Sequence, residues 1–452
     1  MTESQKSKNL FGTDGIRGQV NQWPMTSQMA LKVAMSAGKI FIGKGGSNLH
    51  RVVIGKDTRL SGYMLEPSLV AGFTSIGMDC LTLGPVPTPG VSRLTRSFRA
   101  DLGVMISASH NHFGDNGIKI FGPDGLKLSD EIEMKISKMV DKPTKLAEPE
   151  KLGRVKRLED AGGRYIEVVK SCLPRGQRLE GLKVVVDCAN GAGYKVAPQT
   201  LFELGAEVIP ISVSPNGFNI NENCGAVYPE KMSSAVKYHR AHVGIAFDGD
   251  ADRLIMADEK GKIINGDQIL AVLANRMKID NLLKDSTVVG TSMSNYGLQL
   301  WLERLGIKLL RTKVGDRFIS EEMHNRKLSL GGEPSGHILI PGLSLTGDAL
   351  LNSLMMLIEL VREKKPASKV FNKFNAIPQV TKNISNIDKS ILKSDKILDK
   401  INKIQNQIKG SCRLIVRESG TEPIIRIMAE SSDKKLINFA INEIESLIRN
   451  NS

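Results

Sequence analysis

The chain has 452 residues, a formal charge of +14, 41% apolar residues and five cysteines. That length exceeds one hydrophobic core and points to three or four domains, with apolar content ordinary for a globular protein. The cysteines (Cys80, Cys172, Cys188, Cys224, Cys412) are odd in number, scattered and never spaced Cys-x-x-Cys, which excludes a disulfide framework or a zinc ribbon and indicates reduced thiols in a cytoplasmic protein.

The first nine residues are polar and lysine-bearing, so no secretory signal is expected, and no run approaches the roughly 18 apolar residues of a membrane helix. The net charge invites a nucleic-acid reading, but its distribution argues against one. Residues 361–410 hold twelve Lys or Arg against four Asp or Glu, a net of +8. Within them, 389–409 places Ile391, Leu392, Ile397, Leu398, Ile401, Ile404 and Ile408 on a helical stripe, leaving the lysines to a solvated face. No aromatics interleave to stack bases, and a positive field equally draws in anionic sugar phosphates.

Phe11-Gly12-Thr13-Asp14-Gly15-Ile16-Arg17-Gly18 opens the ordered chain. Its glycines allow a tight backbone, and Arg17 offers a planar fork to a phosphate. An amphipathic helix over 27–42 leads to a strand at Val52-Val53-Ile54, then Gly55-Lys56-Asp57-Thr58-Arg59. After a helix and the strand Leu81-Thr82-Leu83, the apolar run 103–106 reads as a buried strand ending in Ser107-Ala108-Ser109-His110-Asn111. Open α/β sheets place ligand chemistry at such strand ends. Asn116-Gly117 reads as a turn before a returning strand, Ile118-Lys119-Ile120-Phe121. A polar linker over 141–157 follows.

The order then recurs. A strand at 182–186 ends in Asp187-Cys188-Ala189-Asn190-Gly191, and one at 243–247 ends in Asp248-Gly249-Asp250-Ala251-Asp252-Arg253. A third round has strands at Val288-Val289 and at Leu328-Ser329-Leu330, the latter ending in Gly331-Gly332-Glu333-Pro334-Ser335-Gly336-His337. This predicts three copies of one α/β unit. Beyond a long helix over 347–364 and a break at Pro366, strands near 376–382, 413–416 and 424–428 with helices at 389–409 and 435–449 predict a small α+β domain joined by a hinge.

Asp248, Asp250 and Asp252 sit at alternate positions after a strand, so their side chains project to one side. Three converging carboxylates repel unless a cation holds them, and an all-oxygen, all-charged set favours Mg²⁺ or Ca²⁺ over zinc. An EF-hand is the rival reading, with Glu259 at its twelfth position. Its sixth position requires glycine, and here it holds Arg253. Glu333, Ser335 and His337 place an acid, a hydroxyl and an imidazole at alternate positions, suited to a ligand's hydroxyls or amine. Arg417-Glu418-Ser419-Gly420-Thr421, with Arg426 beyond, forms a phosphate cradle of the nest type rather than a Walker loop.

Ser109-His110-Asn111, the loop 248–253, the loop 332–337 and Arg417-Glu418-Ser419-Gly420-Thr421-Glu422-Pro423 resemble, in this order, the four signature loops of the α-D-phosphohexomutases. The opening 11–18 matches too, so the resemblance spans essentially the whole chain. Ile106-Ser107-Ala108-Ser109, Thr346-Gly347-Asp348 and 419–426 are most similar to the bacterial branch acting on glucosamine phosphates, with the mannose and glucose phosphate branches as the alternative. His112 and Glu418 stand where the family has proline, and Pro334 occupies a variable position.

The resemblance implies an α/β protein of three similar domains with mixed sheets plus a smaller α+β C-terminal domain, around a central cleft. The expected divisions are 1–157, 158–256, 257–372 and 373–452. It implies Ser109 as phosphoserine carrier and one Mg²⁺ per chain on Ser109, Asp248, Asp250 and Asp252. Substrate contacts would come from Arg17, Arg253, Glu333, Ser335, His337, Arg417, Ser419, Gly420, Thr421 and Arg426. A hexose 1,6-bisphosphate would serve as intermediate and activator. The expected partner is a sugar phosphate, with no nucleic acid or membrane and a homodimer as the candidate assembly. The product would feed UDP-N-acetylglucosamine and cell-wall precursors. Proton transfer to or from the sugar hydroxyl has two candidates, His110 and Lys119, which the sequence leaves open.

Overall fold

The computed structural model describes residues 10–12, 14–42, 50–385, 391–392, 394–408, 410–418 and 424–451. Three sheets repeat one plan. In the first, the strand Arg51–Lys56 runs parallel to Asp79–Pro85 on one side and to Leu102–Ile106 on the other, and Leu102–Ile106 is followed by the antiparallel Asp115–Phe121. In the second, Lys183–Asp187 stands between the parallel Glu207–Ile211 and Val243–Phe247, with Leu254–Asp258 returning antiparallel. The third repeats this with Thr287–Thr291, Lys308–Thr312, Gly331–Gly332 and Ile338–Leu339. In every copy the spatial order is returning, third, first, second strand. The expected repeat is therefore present as topology.

The central strands are apolar end to end because helices cover both faces of a parallel sheet. Leu102–Ile106 and Val243–Phe247 are buried at every position. Helices form where apolar stripes and caps coincide. Thr26 Oγ1 accepts the Met29 amide at 3.2 Å to start Ser27–Phe41, and Asp348 Oδ1 accepts the Leu351 amide at 2.9 Å to start Ala349–Glu363.

Several expectations change. Asn116 and Gly117 lie inside the returning strand, opposite Gly18 and Arg17 of the added strand Ile16–Gln19, and the turn falls earlier. The end of the expected linker, Val155–Arg157, is an edge strand parallel to Asp79–Pro85. The third-unit strand is Gly331–Gly332 rather than 328–330. Leu254–Asp258 crosses the expected division at 256, and the second sheet continues to Ile263–Ile264.

The fourth unit is a three-stranded antiparallel sheet, Gln379–Ser385, Ile424–Glu430 and Arg413–Glu418, backed by Asp395–Gln407 and Lys434–Arg449. The lysine-rich helix is Asp395–Gln407, shorter than expected; Ile397 and Ile401 are buried and Lys396, Lys400 and Lys403 exposed, as the stripe suggests, but Leu398 of that stripe is exposed. One apolar cluster joins the second and third units, running from Tyr165 through Phe247 and Leu270 to Phe371. The first and fourth units each have a core of their own, around Phe73 and Ile425. Among the described residues no helix is long and apolar enough to cross a membrane.

Candidate active site

The repeat explains how distant motifs meet. The Ser109 loop, the aspartate loop and the Glu333–His337 loop all occupy the connection between third and returning strand in their own unit. The second and third loops are joined by backbone: Leu254 N donates to Gly336 O at 3.0 Å, and Arg253 bridges His337.

Ser109 Oγ donates to Asp248 Oδ2, and both residues are buried. Oxygens of Asp248, Asp250 and Asp252 all lie within 4.8 Å of one another. Asp248 Oδ1 accepts the Asp252 and Arg253 amides at 3.1 Å each, and Asp250 Oδ2 accepts Thr88 Oγ1 at 2.6 Å and Lys119 Nζ at 2.9 Å. Asp252 Oδ2 takes Lys119 Nζ at 3.1 Å. The Oδ1 atoms of Asp250 and Asp252 are buried with no hydrogen-bond donor among the described residues. Burial, then the charges of Asp252 and Asp250, push the Asp248 carboxyl well above its usual range. Clustered buried carboxylates with two acceptors unsatisfied fit a hard divalent cation.

Cations of the chain ring this cluster. Burial works against the charge on Lys119, but Asp14, Asp250 and Asp252 outweigh it and hold the ammonium well above its usual range. Asp14 pairs with Arg17, Lys127 and, at 3.2 Å, Lys119. Lys127 continues to Asp316, whose Oδ2 stands 3.8 Å from His337 Nε2, while His337 Nδ1 is 3.8 Å from Asp252 Oδ1. Glu333 Oε1 accepts the Gly315 amide at 3.0 Å, and its Oε2 accepts Ser335 Oγ at 3.3 Å. Arg253 is largely buried, and its Nε has no acceptor among the described residues. Burial, then Arg253 and Arg17, push the His110 imidazole down to about 4, so it is neutral near pH 7.

Arg417 lies within the strand Arg413–Glu418 rather than in a loop, and it faces Arg426 in direct cross-strand register. Burial and then Arg426 push its guanidinium below the usual range. Like charges directly opposite are destabilising, so the pair suits an anion. Both line a cavity of about 250 Å³ with Met293, Thr381 and Asn383. Ser419, Gly420 and Thr421 lie outside the described residues.

The geometry thus gathers Ser109, Asp248, Asp250, Asp252, Lys119, Arg253, Glu333 and His337, with Arg17 reaching Ala108 O at 3.5 Å. Sequence reasoning missed Asp14, Thr88, Lys127 and Asp316. Asp14 stands inside the glycine-rich stretch 11–18. The other three had no local signal.

Comparison with known proteins follows the same division. The four phosphoglucomutase/phosphomannomutase family profiles match in order: α/β/α domain I at residues 8–147, domain II at 163–261, domain III at 265–376 and the C-terminal domain at 376–444. A phosphoglucosamine mutase of Phenylobacterium zucineum is 52% identical over 441 residues, covering 97% of this chain and 98% of that protein. Among solved structures, a phosphoglucomutase/phosphomannomutase family protein of Burkholderia thailandensis has a TM-score of 0.81 at 22% identity, covering 98% of each chain. An Aspergillus fumigatus N-acetylphosphoglucosamine mutase, solved with GlcNAc-6P and magnesium, has a TM-score of 0.67 at 16% identity, covering 98% of this chain and 95% of that one. The chain belongs to the phosphoglucomutase/phosphomannomutase family of α-D-phosphohexomutases.

Proposed function

We propose that this protein interconverts glucosamine 6-phosphate and glucosamine 1-phosphate, the activity named for its 52% identical relatives. The observation that carries the chemistry is the Ser109 hydroxyl held on a buried carboxylate cluster that fits a divalent cation. Phosphorylated Ser109 gives its phosphoryl group to the sugar's O1, forming the 1,6-bisphosphate. The bisphosphate turns over in the cleft, and its 6-phosphoryl returns to Ser109, releasing glucosamine 1-phosphate. Such transfers need positioning and charge neutralisation above all.

Asp248, Asp250, Asp252 and a phosphoryl oxygen on Ser109 would hold Mg²⁺, the ion bound in the Aspergillus relative. Bound there, it would neutralise charge on the phosphoryl group in transit. Lys119 and Arg17 add fixed positive charge beside it. Glu333, Ser335 and His337 face the sugar, Arg253 helps to hold the substrate, and Arg417 with Arg426 and the 419–421 segment holds the spectator phosphate. Because both ends of the substrate carry phosphate in turn, one cradle serves both half-reactions. His110 and Lys119 are the two candidates to exchange the hydroxyl proton.

These roles divide among four domains, read as 1–157, 158–256, 257–372 and 373–452, with the second division better placed after Ile264, where the second sheet ends. Turnover compared on glucosamine, glucose and mannose phosphates tests the substrate. The highest kcat/KM is expected on the glucosamine phosphates; preference for mannose or glucose phosphate assigns the chain to the other branch. In the same assay Ser109→Ala should be inactive yet folded, since it removes one buried hydrogen bond, to Asp248, worth about 1–3 kcal/mol. Near-normal turnover of that variant refutes the carrier role.

A further inference from the structure

Resting on Ser109 as the carrier, we propose that Arg59 and Asn221 are positioning residues that clamp its backbone from two sides, Arg59 from its own unit and Asn221 from the second. Ser109 stands at φ 53, the left-handed region that a residue with a Cβ occupies only where its surroundings over-determine it. Those surroundings are two buried polar groups acting on the same two carbonyls. Arg59 Nη2 donates to Ser109 O at 3.0 Å and to Asn111 O at 2.8 Å. Asn221 Nδ2 donates to the same atoms at 2.9 and 3.1 Å. Arg59 Nη1 adds His112 O and, at 3.0 Å, Asp115 O, so one guanidinium spans the loop from the carrier to the returning strand.

The clamp is itself fixed. Arg59 Nε bonds Asp57 Oδ2 at 2.8 Å, and both side chains are buried. The same Asp57 oxygen accepts Ser107 Oγ at 2.7 Å, and Ser107 Oγ accepts the Ser109 amide at 2.8 Å. Both the N–H and the C=O of the carrier are therefore held. On the other side, the Asn221 amide donates to Ala189 O at 2.9 Å, just beyond the strand Lys183–Asp187. The Asn221 amide group can point only one way, because two carbonyl acceptors face its nitrogen; its Oδ1 is buried without a donor among the described residues. Gly249, between two of the aspartates, packs on the same junction, where a Cβ would come within 2.6 Å of Ser109 O.

This arrangement suits the proposed cycle. The bisphosphate must present two different ends to one oxygen, so that oxygen has to keep its place while the sugar turns. A misplacement of about 1 Å can cost on the order of a hundredfold in rate.

Asn221 itself stands at φ 57, so Asn221→Gly keeps that left-handed backbone and removes both N–H donors. Arg59→Lys keeps a charge beside Asp57 and removes the fork. Full-length variants are compared with wild type for kcat, KM, the rate at which hexose 1,6-bisphosphate phosphorylates Ser109, and thermal melting, with rates referred to the folded fraction. In Asn221→Gly, kcat and the phosphorylation rate should fall about ten- to a hundredfold while KM stays within about twofold, because the phosphate cradle is untouched. A purely structural residue would lower Tm and leave kcat per folded molecule intact. Wild-type kcat and phosphorylation rate in Asn221→Gly overturn the proposal, and that variant decides alone if Arg59→Lys does not fold. Ser109→Ala separates the two claims: its activity would refute the carrier, whereas an inert Ser109→Ala beside a normal Asn221→Gly refutes only the clamp.

Discussion

At the scale of single residues, the site is a set of unsatisfied groups whose requirements coincide. The buried Oδ1 atoms of Asp250 and Asp252 lack donors among the described residues, and the metal reading supplies them with a cation. Asp250→Asn keeps one oxygen and loses a charge. The Mg²⁺ concentration for half-maximal activity should therefore rise at least about tenfold, with activity partly recovered at high Mg²⁺. Unchanged Mg²⁺ dependence would remove this aspartate from the ligand set. Gly336 and Gly163 make a paired test of backbone constraint. Gly336 stands at φ +92, and a Cβ there would come within 2.0 Å of Leu254 O, at the bridge between two site loops. Gly336→Ala should destabilise by about 2–4 kcal/mol in urea unfolding. Gly163, exposed in the helix Ala161–Ser171, has open space around it, and Gly163→Ala should stabilise by about 0.5–1 kcal/mol. The aspartates were legible because three acids within five residues are a local signal, although they meet across a turn, with Ala251 at φ 56 and its amide on Asp248 O at 3.0 Å, and not along an extended segment. Lys127 and Asp316 were not, because their ion pair joins positions 189 residues apart.

At the scale of elements, the third strands over 103–106 and 243–247 were legible as short β-branched runs, and both form as expected. Glycine misled where it serves closeness rather than turning. A Cβ on Gly117 would come within 2.5 Å of Ser107 O, so the apparent Asn-Gly turn is a strand pressed against its neighbour. Gly331 and Gly332 likewise form the strand, because a Cβ on either would strike Met323 or Ile338.

The junction between the third and fourth units has its own chemistry. Asn295 bonds both the N–H and the C=O of Ile377 at 3.0 Å, and Asp267 Oδ2 accepts the Asn295 amide at 2.8 Å. Glu430 accepts the Tyr296 amide at 2.7 Å and Arg413 Nη1 at 2.9 Å. Burial pushes the Asp267 carboxyl up to about 7, against the Asn295 amide and Arg311 and with the help of Glu430. The folded state then binds this proton more tightly than the unfolded chain. The group's contribution to stability therefore falls as pH rises from about 4 to about 7. Asp267→Asn should gain Tm relative to wild type progressively across that window. A difference independent of pH would contradict the assignment.

For the whole molecule, the threefold repeat was legible as an order of motifs, but the sharing of cores was not, since it depends on which helix faces meet. The second and third units pack as one body, while the fourth keeps a separate core and presents Arg417 and Arg426 beside Met293 of the third. A separate core predicts that substrate phosphate draws the fourth unit toward the other three and excludes water from the transfer. X-ray scattering should show compaction on adding bisphosphate. Arg417→Ala should compact less, raise KM about tenfold and release more inorganic phosphate per turnover. An unchanged radius of gyration in all states, with KM and phosphate release unaltered, would contradict closure. In the proposed cycle Ser109 carries the phosphoryl group from one position of the sugar to the other. That role is tested most directly by labelling the phosphate on Ser109 and following one turnover with unlabelled glucosamine 6-phosphate. The label is expected at position 1 of the glucosamine phosphate, leaving an unlabelled phosphate on Ser109. Unlabelled glucosamine 1-phosphate, with the label still on the protein or lost as inorganic phosphate, would contradict it.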